Sequence, residues 1–214
     1  IIMLTVSVIA SGAFAFMHFY GKSLAYKDNE VGKKQLYADK NVMLIVPHPD
    51  DDICVLGGIT EEFIKYSSDI RIVFLTNGDT QPGWGEHRIR EILDVYDYLR
   101  LSEENIIILG YADQWQKGSP HIYNSPSDEV CTSSIGKTKT YGLENHPAYH
   151  DGNNYTSGNI INDLKSVILE YQPEIIFCCD CDLNNDHKAT SLFFEKAMGQ
   201  ILKNNADYRP EVFK

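Results

Sequence analysis

No segment of this 214-residue chain clusters lysine and arginine, and 19 basic against 30 acidic side chains leave a formal charge of -11. Binding a phosphate backbone needs a basic footprint, so no nucleic-acid partner is expected. An even, regularly spaced set of cysteines is also missing. The five are Cys54, Cys131, Cys178, Cys179 and Cys181, three of them close together, which does not make a secreted disulfide framework. Cys178 and Cys181 form a C-x-x-C, but the apolar run before them favours buried strand residues over a thiolate metal site. Gly57-Gly58 lacks the G-x-G-x-x-G spacing that cradles a pyrophosphate, which argues against dinucleotide binding. Internal repeats and low-complexity tracts are absent too, and 43% apolar residues are ordinary for a globular core.

Formal charge is lacking altogether from Ile1 to Tyr20, a stretch apolar enough to cross a bilayer, whose hydrocarbon core takes ~20 residues. Ala13-Phe14-Ala15 resembles a signal-peptidase site, whereas the length favours an uncleaved anchor, and a buried core helix is the third option. Lys22, Lys27, Lys33 and Lys34 follow the span and argue for a cytoplasmic body unless basic residues preceded Ile1. The expected organisation is a signal or anchor over 1–20, a polar linker over 21–40 and one globular domain over 41–214, membrane-anchored or exported, with the side of the membrane open. Pro210 to Lys214 reads as a strand just beginning, so further elements are expected beyond it.

Val42-Met43-Leu44-Ile45-Val46 is a short continuous apolar run, the pattern of a strand buried on both faces. A helix is predicted from Val55 to Tyr66, a strand over Ile70 to Thr76 stopped by Asn77-Gly78-Asp79, and a helix from Glu86 to Leu101. Strand, helix, strand and helix follow at Asn105 to Leu109, Gly158 to Tyr171, Glu174 to Cys179 and Lys188 to Lys203. This alternation predicts an α/β fold, a mostly parallel sheet with helices on both faces. Gly110 to Ser157 breaks the rhythm and reads as a long functional loop, with Trp115, His121, Tyr123, Tyr141, His146, Tyr149 and His150 as candidate aromatic contacts for a ligand.

Ligands of open α/β sheets sit at the carboxyl ends of strands, and here the first strand runs into Pro47-His48-Pro49-Asp50-Asp51-Asp52. One aspartate would serve as a helix cap, but three successive carboxylates beside a histidine need an offsetting charge, from a helix N-terminus and a bound cation. The strand ending at Cys179 likewise leads into a polar cluster, Asp180 to His187, so two acidic, histidine-bearing strand ends would converge on one metal. A Mg²⁺-dependent phosphoesterase is the reading from hard-cation chemistry, although two histidines lean towards zinc.

Pro-His-Pro-Asp-Asp-Asp followed by Gly57-Gly58 resembles the Ala-His-Pro-Asp-Asp-Glu signature of the PIG-L/LmbE deacetylases. Leu75 to Asp79, Arg88 to Glu91, Leu109 to Asp113 and Asp186-His187 come in that family's order, over roughly Val42 to Thr190. The resemblance implies a Rossmann-like fold and Zn²⁺-dependent removal of acetyl groups from N-acetylglucosamine conjugates, so an N-acetylated sugar or glycoconjugate is the expected partner. By the same resemblance His48, Asp51 and His187 would be the zinc ligands, Asp50 the general base, and Arg88 and Asp113 the sugar contacts.

This chain departs from the family pattern twice. Asn184 stands where the family's His-Pro-Asp-His cluster begins with histidine, and Asp52 replaces a glutamate. Asn184 has no proton to give as an acid, yet its amide can donate to an oxyanion. Protonation of the leaving amine would then fall to Asp50, or to His146 of the long loop. The alternative is a catalytically impaired metal- and sugar-binding protein of the same fold.

Overall fold

The computed structural model describes residues 38–54, 57–67, 69–115 and 121–214. The apolar segment Ile1 to Tyr20 and nearly all of the linker to Lys40 lie outside the described residues, as do Val55 and Leu56. Among the described residues no helix is long and apolar enough to cross a membrane.

Five strands form one sheet: β1 Asn41–Val46, β2 Asp69–Thr76, β3 Ile106–Tyr111, β4 Ile175–Cys178 and β5 Glu211–Phe213. Their spatial order is β3-β2-β1-β4-β5, and every pairing is parallel. The helices are α1 Asp51–Cys54, α2 Gly57–Tyr66, α3 Trp84–Tyr98, α4 Ser157–Tyr171 and α5 Asn185–Asn204. Helix begins at Asp51, earlier than Val55, because the amides of Asp50 and Asp51 both turn back onto the carbonyl of His48 at 2.9 and 3.2 Å. Two acidic residues in that first turn also suit the positive helix end.

Strand alternation sorts the core into two layers. Met43, Ile45, Val73 and Leu75 face α4 and α5 through Leu164, Ile168, Phe193 and Ala197. Val42, Leu44, Ile72 and Phe74 face α2 and α3 through Phe63, Ile89, Leu93 and Tyr96. The continuous apolar composition of β1 follows from this, since both of its faces are covered. Each large side chain buried here contributes on the order of 1.5–3 kcal/mol of transfer free energy.

The chain builds outwards from β1 through β2 to β3, then returns to place β4 on the other side of β1. The crevice outside the carboxyl ends of β1 and β4 is thus the topological switch point, where open parallel sheets bind ligands. The long connection between β3 and α4 is pinned to the body by backbone hydrogen bonds, among them Tyr149 N–H to the Ile108 carbonyl at 2.8 Å. Gly110 permits the close approach of this loop: its φ is 82°, and an added Cβ would lie 2.6 Å from the Tyr141 carbonyl oxygen.

Candidate metal centre

The turn after β1 folds the Asp51 carboxylate back over His48. Asp51 Oδ2 accepts the His48 backbone N–H at 3.0 Å and lies 2.9 Å from the ring Nδ1. Across the switch point, Asp182 accepts the Asn184 N–H at 2.6 Å, and the Asn184 side chain accepts the Asp186 N–H at 2.8 Å. These bonds set the start of α5 and place His187 in its first turn, buried, with Nε2 3.3 Å from Asp51 Oδ2 and Nδ1 2.8 Å from Asp182 Oδ2. The rings of His48 and His187 are 5.3 Å apart, and donor atoms of His48, Asp51 and His187 lie within 4.8 Å of one another.

A second group of donors faces the opposite edge of the His48 ring. His48 Nε2 is 3.0 Å from Asp113 Oδ1 and 3.3 Å from Asp186 Oδ2, while Asp186 Oδ1 is 2.7 Å from His121 Nε2. Asp113 is held from behind by Asp79, which accepts its backbone N–H at 3.0 Å and the Tyr141 hydroxyl at 2.9 Å. Asp79 is fully buried, and that burial pushes its carboxyl above the usual range.

The carboxylates around His48 favour positive charge on its ring. Burial alone would lower the His48 pKa, but hydrogen bonds to Asp113, Asp186 and Asp51 outweigh it and raise it to about 11. For Asp186 burial works upwards, and its bonds to His121 and His48 hold the carboxyl below its ordinary value. Two imidazoles and a carboxylate converging here form a donor set that fits a divalent cation of the kind imidazole nitrogens bind. Among the described residues, the groups able to hold a metal contain no cysteine. Burial pushes the Cys179 thiol up to about 12.

Asp50 and Arg88 form a pair beside this cluster. Asp50 is exposed, and its Oδ2 lies 2.8 Å from Arg88 Nη2, which also donates to the Pro49 carbonyl at 2.8 Å. Arg88 crosses Gly78 to reach them. Gly78 has φ 63°, a backbone that favours glycine, and a Cβ built there would sit 2.2 Å from Arg88 Nη1, so a side chain at this position would displace the guanidinium.

The structure therefore brings His48, Asp51 and His187 together, sets Asp113 against the far edge of His48, and joins Asp50 to Arg88. Asn184 stands on the exposed end of α5 with its oxygen engaged in capping. Asp52 turns away from the cluster: it accepts the Tyr96 hydroxyl, and its backbone carbonyl accepts Thr60 Oγ1 at 3.0 Å. His146 is not brought to the centre. Its Nε2 lies 3.1 Å from the carbonyl of Ile106, at the amino end of β3, the opposite edge of the sheet. Tyr149 and His150 anchor the loop to α4 through Glu170 and Asp163, each at 2.7 Å. Sequence reasoning missed the parts played by Asp182, Asp186 and His121. The acidic spacing around His187 was a signal for the first two, whereas His121 had none beyond its place in an aromatic loop.

A family model described as PIG-L, GlcNAc-PI de-N-acetylase, matches residues 43–198, well over half of the chain. A comparison with curated proteins found no match. Among solved structures, an N,N'-diacetylchitobiose deacetylase from Pyrococcus horikoshii, complexed with its inhibitor MPG, superposes with a TM-score of 0.52 at 17% identity, covering 92% of this chain and 61% of that one. A conserved protein from Thermus thermophilus gives 0.53 at 18% identity, covering 81% of this chain and 64% of its own. The chain thus spans less than two thirds of either relative's length, and at these identities the likeness shows the shared fold.

Proposed function

We propose, because this chain belongs to the PIG-L family of GlcNAc-PI de-N-acetylases, that it is a zinc-dependent hydrolase removing the acetyl group from an N-acetylglucosamine-type sugar conjugate. The observation that carries the reading is the convergence of His48, Asp51 and His187 at the carboxyl ends of β1 and β4. These three side chains would hold the ion and leave a position open. When bound, zinc supplies Lewis acidity, which brings water towards ionisation near neutral pH and polarises the acetamide carbonyl.

The chain's own residues supply the rest. Asp50, next in sequence to the ligand Asp51, accepts a proton from the attacking water at a carboxylate oxygen. Arg88 holds that carboxylate in place and offers its remaining donors to sugar hydroxyls. Asp113 keeps one oxygen on His48, so it reaches the sugar only through the other. As the water oxygen bonds to the acetyl carbon, the Asn184 amide is available to donate to the developing oxyanion, its carbonyl oxygen being used in the cap. The C–N bond then breaks, and the proton taken by Asp50 passes to the departing nitrogen, giving acetate and a free amine.

The capping duty of Asn184 favours a second reading, a metal- and sugar-binding protein of low turnover. Amine release from a panel of N-acetylglucosamine conjugates separates the two, with zinc-loaded, chelator-treated and Asp50→Ala protein compared. Release that needs zinc and vanishes in Asp50→Ala supports the hydrolase. A folded, zinc-bound protein that releases no amine is the binding protein.

A further inference from the structure

The two nitrogens of His48 face different groups. Nδ1 lies 2.9 Å from Asp51 Oδ2, the oxygen that His187 Nε2 also approaches at 3.3 Å, and Nε2 faces Asp113 and Asp186. If the ion is held by His48, Asp51 and His187, as proposed above, Nδ1 must present its lone pair, and the proton of the neutral ring resides on Nε2. Two carboxylate oxygens stand there to accept it, at 3.0 and 3.3 Å. His187 repeats the arrangement, with Nε2 towards the ligand cluster and Nδ1 backed by Asp182 at 2.8 Å. Carboxylates behind metal-binding imidazoles fix ring orientation and raise ligand basicity.

Behind His48 the chain of contacts continues one step further. Asp186 gives Oδ2 to His48 and Oδ1 to His121 Nε2, the latter at 2.7 Å. The state of His121 follows from its other nitrogen. Nδ1 accepts the backbone N–H of Tyr123 at 3.2 Å, and an amide can only donate, so Nδ1 carries no proton. Nε2 therefore carries it and donates to Asp186. With both ring nitrogens occupied, His121 is not free to protonate a substrate.

We propose that His121 is a positioning residue for the metal centre: the long loop reaches in through His121 to hold Asp186, and Asp186 holds His48 in the tautomer that offers Nδ1 to the ion. This deepens the zinc reading and rests on it. The arrangement gives the loop between β3 and α4 a duty at the metal, 65 residues away from Asp186 in sequence.

The test measures zinc affinity of the full chain by competition with a chromophoric chelator, in wild type, His121→Leu and His121→Gln. Glutamine reproduces both bonds, its carbonyl accepting from Tyr123 and its amide donating to Asp186, whereas leucine fills the space and makes neither. His121→Leu is expected to bind zinc about 10-fold more weakly, the lower end of the 10–100-fold range for such outer partners. His121→Gln is expected to recover most of that loss. Equal affinity in all three proteins, or equal loss in both variants, would overturn the proposal. A long-range ¹H–¹⁵N spectrum of the unsubstituted protein needs no variant: an Nε2–H signal for His121 supports the proposal, and an Nδ1–H signal refutes it. Should wild type bind no zinc, the metal reading itself fails and the inference goes with it. Zinc retained by His187→Ala but lost by Asp186→Ala would put the ion on the Nε2 side of His48 and sink the inference alone.

Discussion

One guanidinium nitrogen of Arg88 bonds both the Asp50 carboxylate and the Pro49 carbonyl, each at 2.8 Å, and so ties α3 to the turn that leaves β1. Asp50 is thereby aimed by a residue from another element. Asp50→Asn should lower kcat by about 10²–10⁴-fold, the usual size of a lost general base, with zinc content by metal analysis unchanged. Arg88→Ala should reduce kcat/KM with little change in melting temperature, because an ion pair with an exposed partner contributes only about 0–1 kcal/mol. Arg88→Lys should not restore activity, since a lysine donates from a single nitrogen and has no second nitrogen to offer the sugar hydroxyls.

Asp51 Oδ2 lies beside both imidazoles, 2.9 Å from His48 Nδ1 and 3.3 Å from His187 Nε2. Asp51→Ala and His187→Ala should each purify with little zinc and no measurable amine release, while exhaustive chelation of wild type reproduces the loss and added zinc reverses it. Retained zinc in either variant would move the centre away from these ligands.

Asp79 touches no proposed ligand, yet it carries Asp113 and Tyr141 on its two oxygens. Asp79→Ala leaves a partly buried amide and hydroxyl without their acceptor, at a cost of up to about 1–3 kcal/mol for each group left unpaired. Urea unfolding should show a destabilisation of that order, together with weaker substrate binding as the Asp113 loop loosens. An unchanged unfolding midpoint would show that the loop finds other acceptors.

His146 was the loop imidazole expected to act as an acid. Its bond to the Ile106 carbonyl, at the far edge of the sheet, makes it a latch for the loop. His146→Ala should therefore leave turnover per folded molecule unchanged and cost only a modest amount of stability, of the order of 0.5–1.5 kcal/mol for one hydrogen bond.

The fold was legible because β1 from Val42 onwards and all of β4 are apolar and end abruptly in histidine-bearing acidic turns. Burial on both faces leaves that mark in any parallel strand, and the βα alternation does the rest. The convergence of His48 and His187 followed from the sheet's geometry once both turns were placed at strand ends. Asp113 beside His48, Arg88 on Asp50 and His121 on Asp186 were beyond such reasoning, because each arrives through a loop or across a helix whose path no periodicity records. Asn184 shows the opposite difficulty. An asparagine before a helix reads equally well as a cap or a site residue, and its bond to the Asp186 amide reveals the first without removing the second.

β1 and β4 lie side by side, although His48 and Asp186 at their ends are 138 residues apart in the chain. During synthesis the first ligands emerge long before the last, and the binding pocket comes into being only when the return strand closes against β1. An ion seated there acts as a clasp between the early and late halves of the polypeptide. It would raise stability by about 2.7 kcal/mol at a free concentration one hundred times its dissociation constant. Metal supply would then govern how long a newly made molecule survives as well as how fast it works.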